Sequence, residues 1–268
     1  MRLEAGFRTG GLVACLAGSA VLAGGTRAAW AAGDEIQVYL DDMSLPGEIG
    51  LDVHLNYVLA GRTTPGWPGE LPPYHVFQAT PEFGFGVKRW LELGLYLPVA
   101  VGPDGAFYAN GVKVRAKVVP QQALQGGFFW GVNVELGCVA RRVSEERWTV
   151  ELRPIAGWRN ARWLVAANPI LDFTAGAPSS TQGELEPAVK VGFKASRALM
   201  VGFEYYGALG PVSDLAPRSA QEHDTYAVVD YEGHGLDLNL GLGYGWTGVS
   251  DRWVAKAIVG FGLRRPGR

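Results

Sequence analysis

The residues best suited to chemistry in this 268-residue chain are four histidines, His54, His75, His223 and His234, and two cysteines, Cys15 and Cys138. His54 stands with Asp52 and Asn56 at alternate positions, so an extended strand puts all three on one face. Such an imidazole could act as a general base toward a serine nucleophile. No strand-borne serine falls on an adjacent strand at matching height, and the alternation reads His54 as a polar residue on the wet face of its strand. His75, His223 and His234 fall at loop or turn positions and are expected to face water. Cys138 falls on an apolar face with nothing nearby to lower its pKa, and reads as a small packing residue. Gly-x-Ser-x-Gly, His-Glu-x-x-His, Cys-x-x-Cys and phosphate-loop patterns do not occur. There is no Met- or His-rich tract, and the chain has 3 Met. The expectation is a protein that is not an enzyme, with no catalytic residue, no cofactor and no metal ligand set.

The elements that carry these residues have a period of two. From Leu236 to Trp246 the residues Leu236, Leu238, Leu240, Leu242, Tyr244 and Trp246 share one face, and Asp237, Asn239, Gly241, Gly243 and Gly245 the other. A helix would scatter those leucines around its axis; a strand collects them. The same alternation predicts twelve strands, over 48–60, 74–87, 91–101, 107–118, 127–141, 147–158, 163–174, 184–195, 199–209, 224–231, 236–246 and 252–263. Most approach the ~9–11 residues that a tilted membrane strand needs.

Connection lengths alternate independently of hydropathy. Lys88–Trp90, Arg159–Arg162, Ser196–Ala198 and Glu232–Gly235 are tight, with Val119–Gly126 the exception on that side, whereas Gly61–Pro73, Ala175–Gly183 and Gly210–His223 are long and rich in Pro, Gly and Ser. Short turns on one side and long loops on the other are the habit of outer-membrane barrels, and an even strand count puts both termini at the periplasmic end. Trp90, Trp130, Trp158, Trp163 and Phe261 fall toward that end, and Trp148, Phe173, Trp246 and Trp253 toward the other, as two aromatic girdles would.

Composition agrees. Charged residues are 19% and hydrophobic residues 48%; Lys+Arg number 24 against 26 Asp+Glu, for a net charge of −2. The 38 glycines are about twice the usual share of roughly 7%. This is too apolar for a disordered chain and not basic enough for a nucleic-acid partner. Residues 1–31 have the form of a cleaved signal peptide, with Arg2 and Arg8, then the small and apolar run Gly10–Gly25, then Ala29-Trp30-Ala31 before a mature start at Ala32. A lipobox-like Leu12-Val13-Ala14-Cys15 is the weaker alternative, because most of the apolar run follows Cys15. Cleavage leaves Cys138 as the one cysteine, which excludes an intramolecular disulfide. Residues 32–47 read as a periplasmic or lumenal segment, 48–263 as the barrel, and 264–268 as a basic tail. Every later apolar run is broken by charge, Gly or Pro. An exported chain this apolar crosses a membrane as a closed, all-β, antiparallel up-and-down barrel.

The predicted inward face is charged. It carries Asp52 and His54 on the first strand, Glu82 on the second and Glu92 on the third. The fourth is basic, with Lys113, Arg115 and Lys117. Glu135, Glu151, Arg153, Asp172, Glu186, Lys190, Lys194, Glu204, Asp237 and Lys256 follow around the barrel. Facing rows of opposite charge would set a transverse field in a pore. Alternatively they pair off and fill the barrel, since twelve strands lie between the filled eight-stranded and open sixteen-stranded cases. Hairpin centres predict partners. The loop Arg142–Glu146 places Glu135 opposite Arg153, and the turn Ser196–Ala198 places Lys190 opposite Glu204.

The layout resembles the bacterial outer-membrane barrels grouped with the phenol-degradation (MetA-pathway) outer-membrane family. The resemblance rests on Glu35-Ile36-Gln37-Val38-Tyr39, Gly50-Leu51-Asp52-Val53-His54-Leu55-Asn56-Tyr57, Pro81-Glu82-Phe83-Gly84-Phe85-Gly86-Val87 and Leu93-Gly94-Leu95-Tyr96-Leu97-Pro98. It implies an outer-membrane protein and a passive uptake route for small compounds, aromatic ones included. It carries over no catalytic motif. Expected partners are outer-membrane lipid, the barrel-assembly machinery (which would read Phe261 near the C-terminus) and a small solute. Two rival activities stay open: a structural or surface-binding barrel without conductance, and a lipid-acting hydrolase using His54.

Overall fold

In the computed structural model the described residues are 33–175, 183–233 and 235–264. Alternating apolar and polar residues favour the pleated strand, and here they build one antiparallel sheet closed on itself. In chain order the strands are β1 (Ile49–Ala60), β2 (Phe77–Lys88), β3 (Leu91–Tyr96), β4 (Val99–Val101), β5 (Phe107–Ala109), β6 (Gly111–Gln121) and β7 (Gly127–Val139). They continue as β8 (Trp148–Arg159), β9 (Trp163–Ala175), β10 (Glu184–Lys194), β11 (Leu199–Ala208), β12 (Glu222–Gly233), β13 (Leu236–Gly245) and β14 (Trp253–Arg264). Successive staves pair antiparallel around the wall, and β1 pairs with both β2 and β14, which closes the barrel.

Two staves of the barrel are interrupted. Pro98, which has no N–H, separates β3 from β4, and Asn110 separates β5 from β6. The breaks lie side by side, with the Asn110 N–H donating to the Pro98 carbonyl at 2.8 Å. β3 and β4 both pair with β2 on one side, and with β6 and β5 on the other, so each broken pair counts as one stave and the wall is twelve strands around, as the periodicity predicts.

The period of two divides the faces. Leu95, Val114, Leu136, Val191, Leu240 and Leu242 point outward and are exposed, as is Phe203 at 64%. Exposed Trp90, Trp130, Trp163 and Phe261 lie near the tight turns, and Trp148, Trp246 and Trp253 near the longer loops. The partners one residue along, including Glu135, Arg153, Lys190 and Glu204, are buried inside. The end with tight turns is called the turn end here, and the opposite one the loop end.

Candidate functional site in the occupied lumen

Residues 33–44 lie inside the barrel. They form no strand. The chain enters from the turn end, where Asp41 accepts the Ala123 N–H at 2.6 Å, and climbs until Asp34 reaches Lys113 on β6 at 2.9 Å. A backbone taken from water needs other partners for its polar groups. Side chains of the wall supply them. Lys256 donates to the Ile36 carbonyl at 2.9 Å, Arg153 to Gln37 at 3.1 Å, Lys117 to Asp42 at 2.7 Å and Asn56 to Gly33 at 2.9 Å. Asn168 on β9 does most: its Oδ1 accepts the Tyr39 N–H at 2.6 Å and its Nδ2 donates to the Tyr39 carbonyl at 3.1 Å. Asp41 also pairs with Arg159.

Apolar contacts complete the fit. Val38 and Tyr39 pack with Phe129, Ile155, Leu164 and Ile170, and Ile36 packs with Val58, Tyr226, Val228 and Val254. The Tyr39 ring lies 4.3 Å from the Arg153 guanidinium and 5.3 Å from Lys117 Nζ, and its hydroxyl meets that of Tyr96 at 2.5 Å.

The inward charges form networks rather than open rows. Glu82 takes His54 Nε2 on Oε2 at 3.0 Å and Arg115 Nε on Oε1 at 2.7 Å; Arg115 reaches Glu92 at 2.6 Å. Lys113 lies 3.2 Å from Glu135, and Arg153 lies 2.7 Å from Glu151 and 3.7 Å from Glu35. Lys190 pairs with Glu204 at 3.0 Å and Asp230 at 2.7 Å, and Glu204 also binds Lys256. Glu135, Glu151, Asp172 and Glu184 stand in register on four successive strands, an arc of carboxylates in the loop-end half. Glu186 lies one inward step below and is buried. Asp52 and Asp237 line a cavity of about 220 Å³ beside the segment at the turn end.

Three expectations need correction. Glu135 is opposite Glu151, and Arg153 is opposite Asn133, so the proposed Glu135–Arg153 pair does not form. The hairpin folds off the middle of its loop, with Val143 and Ser144 N–H groups both turning back to the Ala140 carbonyl, which moves the register by two residues and leaves both side chains inward. Lys194 has inward parity but is exposed at the turn-end rim, whereas Asp237 at the same rim lines the cavity. His223 is not a loop residue: it lies in β12, paired with Gly207, and its Nδ1 meets the Tyr205 hydroxyl at 2.7 Å. His75 is held against Tyr74 and Tyr57, and His234 lies outside the described residues. Cys138 lies on the outward face, half-buried between Val112 and Trp148. Glu82 holds His54 Nε2, and Nδ1 has no hydrogen-bond partner among the described residues.

The loop end is covered as well. Residues 61–73 reach over to the β7–β8 loop, where the buried Trp67 indole donates to the Arg141 carbonyl at 2.6 Å and the Leu71 N–H to Arg142 at 3.0 Å. Buried Glu70 holds both terminal nitrogens of Arg62, at 2.6 and 3.1 Å. At its base the Arg62 N–H donates to Asp251 at 3.2 Å. Burial raises the Asp251 carboxyl to about 6, with Arg62 opposing and Glu70 adding to the rise.

The barrel has the fold of outer-membrane porins. The outer-membrane channel COG4313 from Pseudomonas putida F1 superposes with a TM-score of 0.54 at 11% identity, over 85% of this chain and 99% of its own. The KdgM porin gives 0.52 at 10% identity, over 80% and 99%, and the NanC porin 0.50 at 9%, over 80% and 100%. No protein-family model and no curated protein matches the sequence. The porin likeness is therefore one of fold, carried by the closed antiparallel wall.

The networks join residues far apart in the chain. Asn168 and Tyr39 were not expected to meet, although Asn168 shares inward parity with Asp172, and that signal could have found it.

Proposed function

We propose that this porin-like barrel is a passive channel of the bacterial outer membrane for small solutes, shut in the conformation described by residues 33–44 and by the loop 61–73. One observation carries the reading: the lumenal segment adds no strand to the sheet and is held through side chains of the wall. Its departure leaves the wall hydrogen-bonded strand to strand and exposes Lys, Arg, Asn and carboxylate groups that water can solvate. Porins and channels of similar fold, including the KdgM porin in complex with disordered oligogalacturonate, support solute passage as the use of such a wall. The outward apolar face and its flanking tryptophans support a membrane location, with lipid as the surrounding partner.

Placement in the phenol-degradation outer-membrane family, and aromatic compounds as the solute class, are the finer form of this proposal. Their support is that the motifs carrying the resemblance converge: Glu35 and Tyr39 of the first, Asp52, His54 and Asn56 of the second, Glu82 of the third and Tyr96 of the fourth all meet in the lumen.

Single-channel recording in planar bilayers tests the reading. Wild type should show small, intermittent conductance. Replacing residues 33–41 by a Gly/Ser segment of equal length should raise the mean current several-fold. A variant as silent as wild type would favour a non-conducting structural barrel.

A further inference from the structure

The lumenal segment meets the wall at one cluster whose chemistry the charge networks do not absorb. Glu35 of the segment, His54 of β1 and Glu82 of β2 each present a ligand atom, and the three atoms lie within 4.8 Å of one another. The side chains of Glu35, His54 and Glu82 are 4%, 1% and 4% exposed. Glu35 Oε1 and His54 Nδ1 have no hydrogen-bond partner. His54 Nδ1 faces away from Glu82, so the vacancy within the cluster is at Glu35 Oε1: Arg153 stands 3.7 Å off, beyond hydrogen-bond reach, and a buried carboxylate oxygen left so is costly unless something completes it. Arg115 does not: it sits on Oε1 of Glu82 and leaves Oε2 to His54, which orients the carboxylate toward the cluster. Around the cluster, Glu35, Glu82, Glu92, Asp52 and Glu151 face Arg115, Arg153 and Lys117, an excess of negative charge that favours a cation. Of the three ligands, Glu82 borders the 220 Å³ cavity at the turn end.

We propose that Glu35, His54 and Glu82 form a site for a divalent cation of the zinc class, which staples the lumenal segment to the barrel wall. One imidazole and two carboxylates suit a borderline ion bound tetrahedrally, with ligand bonds of about 2.0–2.2 Å and water at the fourth position. Calcium, which takes six to eight oxygen ligands, fits poorly. The ion replaces the hydrogen that His54 and Glu82 share, so binding releases a proton and weakens as pH falls. Arg115 then acts as the partner that fixes Glu82. Because Glu35 is on the segment and the other two ligands are on the wall, the ion adds its binding energy to the closed arrangement. This consequence rests on reading the segment as the closing element; the site itself does not.

The test uses the full-length barrel in detergent and two probes, Zn2+ by calorimetry and Co2+ by visible absorption. One ion per barrel is expected, with tetrahedral Co2+ bands that Zn2+ displaces. Glu35→Gln, which leaves the wall intact, should weaken binding by more than ~100-fold, beyond the 10–100-fold typical of losing an orienting partner. His54→Gln should do the same, with heat-modifiable gel migration reporting folding. Absence of saturable binding by the folded wild type, or an affinity unchanged in Glu35→Gln, overturns the site. Bilayer recording then separates the two readings. Zn2+ should lower the wild-type current, EDTA should restore it, and Glu35→Gln should be insensitive. Stoichiometric binding that is lost in Glu35→Gln, with current indifferent to Zn2+, supports the site and overturns the segment as the gate.

Discussion

Lys190 and Glu204 face each other in register across β10 and β11, with Lys190 Nζ 3.0 Å from Glu204 Oε1. Both are buried, at 5% and 2% exposure, so the pair is not the wet, weak kind found on surfaces. Glu204 also serves Lys256 and accepts the Tyr206 hydroxyl at 2.7 Å, whereas Lys190 has Asp230 as a second partner. The carboxylate is therefore the shared member. Glu204→Ala strands buried Lys256 and leaves Lys190 with Asp230 alone, and should cost about 3–5 kcal/mol. Lys190→Ala should cost less, because Lys256 still holds Glu204 and the Asn239 amide still reaches Asp230 at 2.6 Å. Urea unfolding in lipid vesicles measures both, and equal losses would mean that the network does not share Glu204.

The two faces of one strand make a second prediction. Leu240 is outward and 48% exposed, and Asp237 on the same strand is inward at the open rim. Leu240→Arg should cost about 2–4 kcal/mol near the midplane, and Val191→Arg a similar amount, since a cation meets hydrocarbon there. Asp237→Arg should fall within about 0.5 kcal/mol. Refolding titrations in vesicles check the contrast, and similar costs on both faces would contradict the assigned orientation of the wall.

The lumenal hold can be weakened at one residue. Asn168→Ala removes both hydrogen bonds that pin Tyr39 and leaves the backbone of residue 168 in register with Ala188. Two buried hydrogen bonds of about 1 kcal/mol each, plus the unsatisfied peptide they leave, should raise the open population of the channel at least tenfold. Open probability in planar bilayers is the readout, and an unchanged value would show that other contacts hold the segment.

Much of the wall was legible because its physics is local. The pleat forces a period of two, so strands and faces follow from residues such as Leu236–Trp246 without knowledge of the rest. The turn at Ser196–Ala198 leaves no slack, and the Lys190–Glu204 register followed from it. The loop after β7 is longer and folds around Ala140, a choice made by turn geometry that hydropathy does not encode; the Glu135–Arg153 expectation failed there. The lumen was least legible. Tyr39 and Asn168 are separated by 129 positions, and Glu35, His54 and Glu82 meet only because the barrel closes around an extended chain. Alternation in Glu35–Asp42 suggests an extended segment, but nothing local says which wall would receive it.

The cover at the loop end should respond to pH, and the sign follows from Asp251. Burial raises its carboxyl to about 6, above the usual ~3.9, although Arg62 attracts its charge. A raised acid favours the protonated form in the covered state, so this contribution is fully present below the free value and is lost as pH rises through about 6. The Arg62–Glu70 pairing does not offset it, because Arg62 is held further in its charged form by Glu70. Acidification from pH 8 to pH 5 should therefore tighten the loop 61–73 over the mouth. A nitroxide on Thr63→Cys, in a Cys138→Ser background, should show a larger immobile fraction at pH 5 in spin-resonance spectra. Asp251→Asn, which cannot ionise, should be immobile at both pH values, with Trp67 and Leu71 still bonded to the β7–β8 loop. A loop that loosens on acidification, or an Asp251→Asn variant that keeps the wild-type pH response, would assign control of the cover to another group.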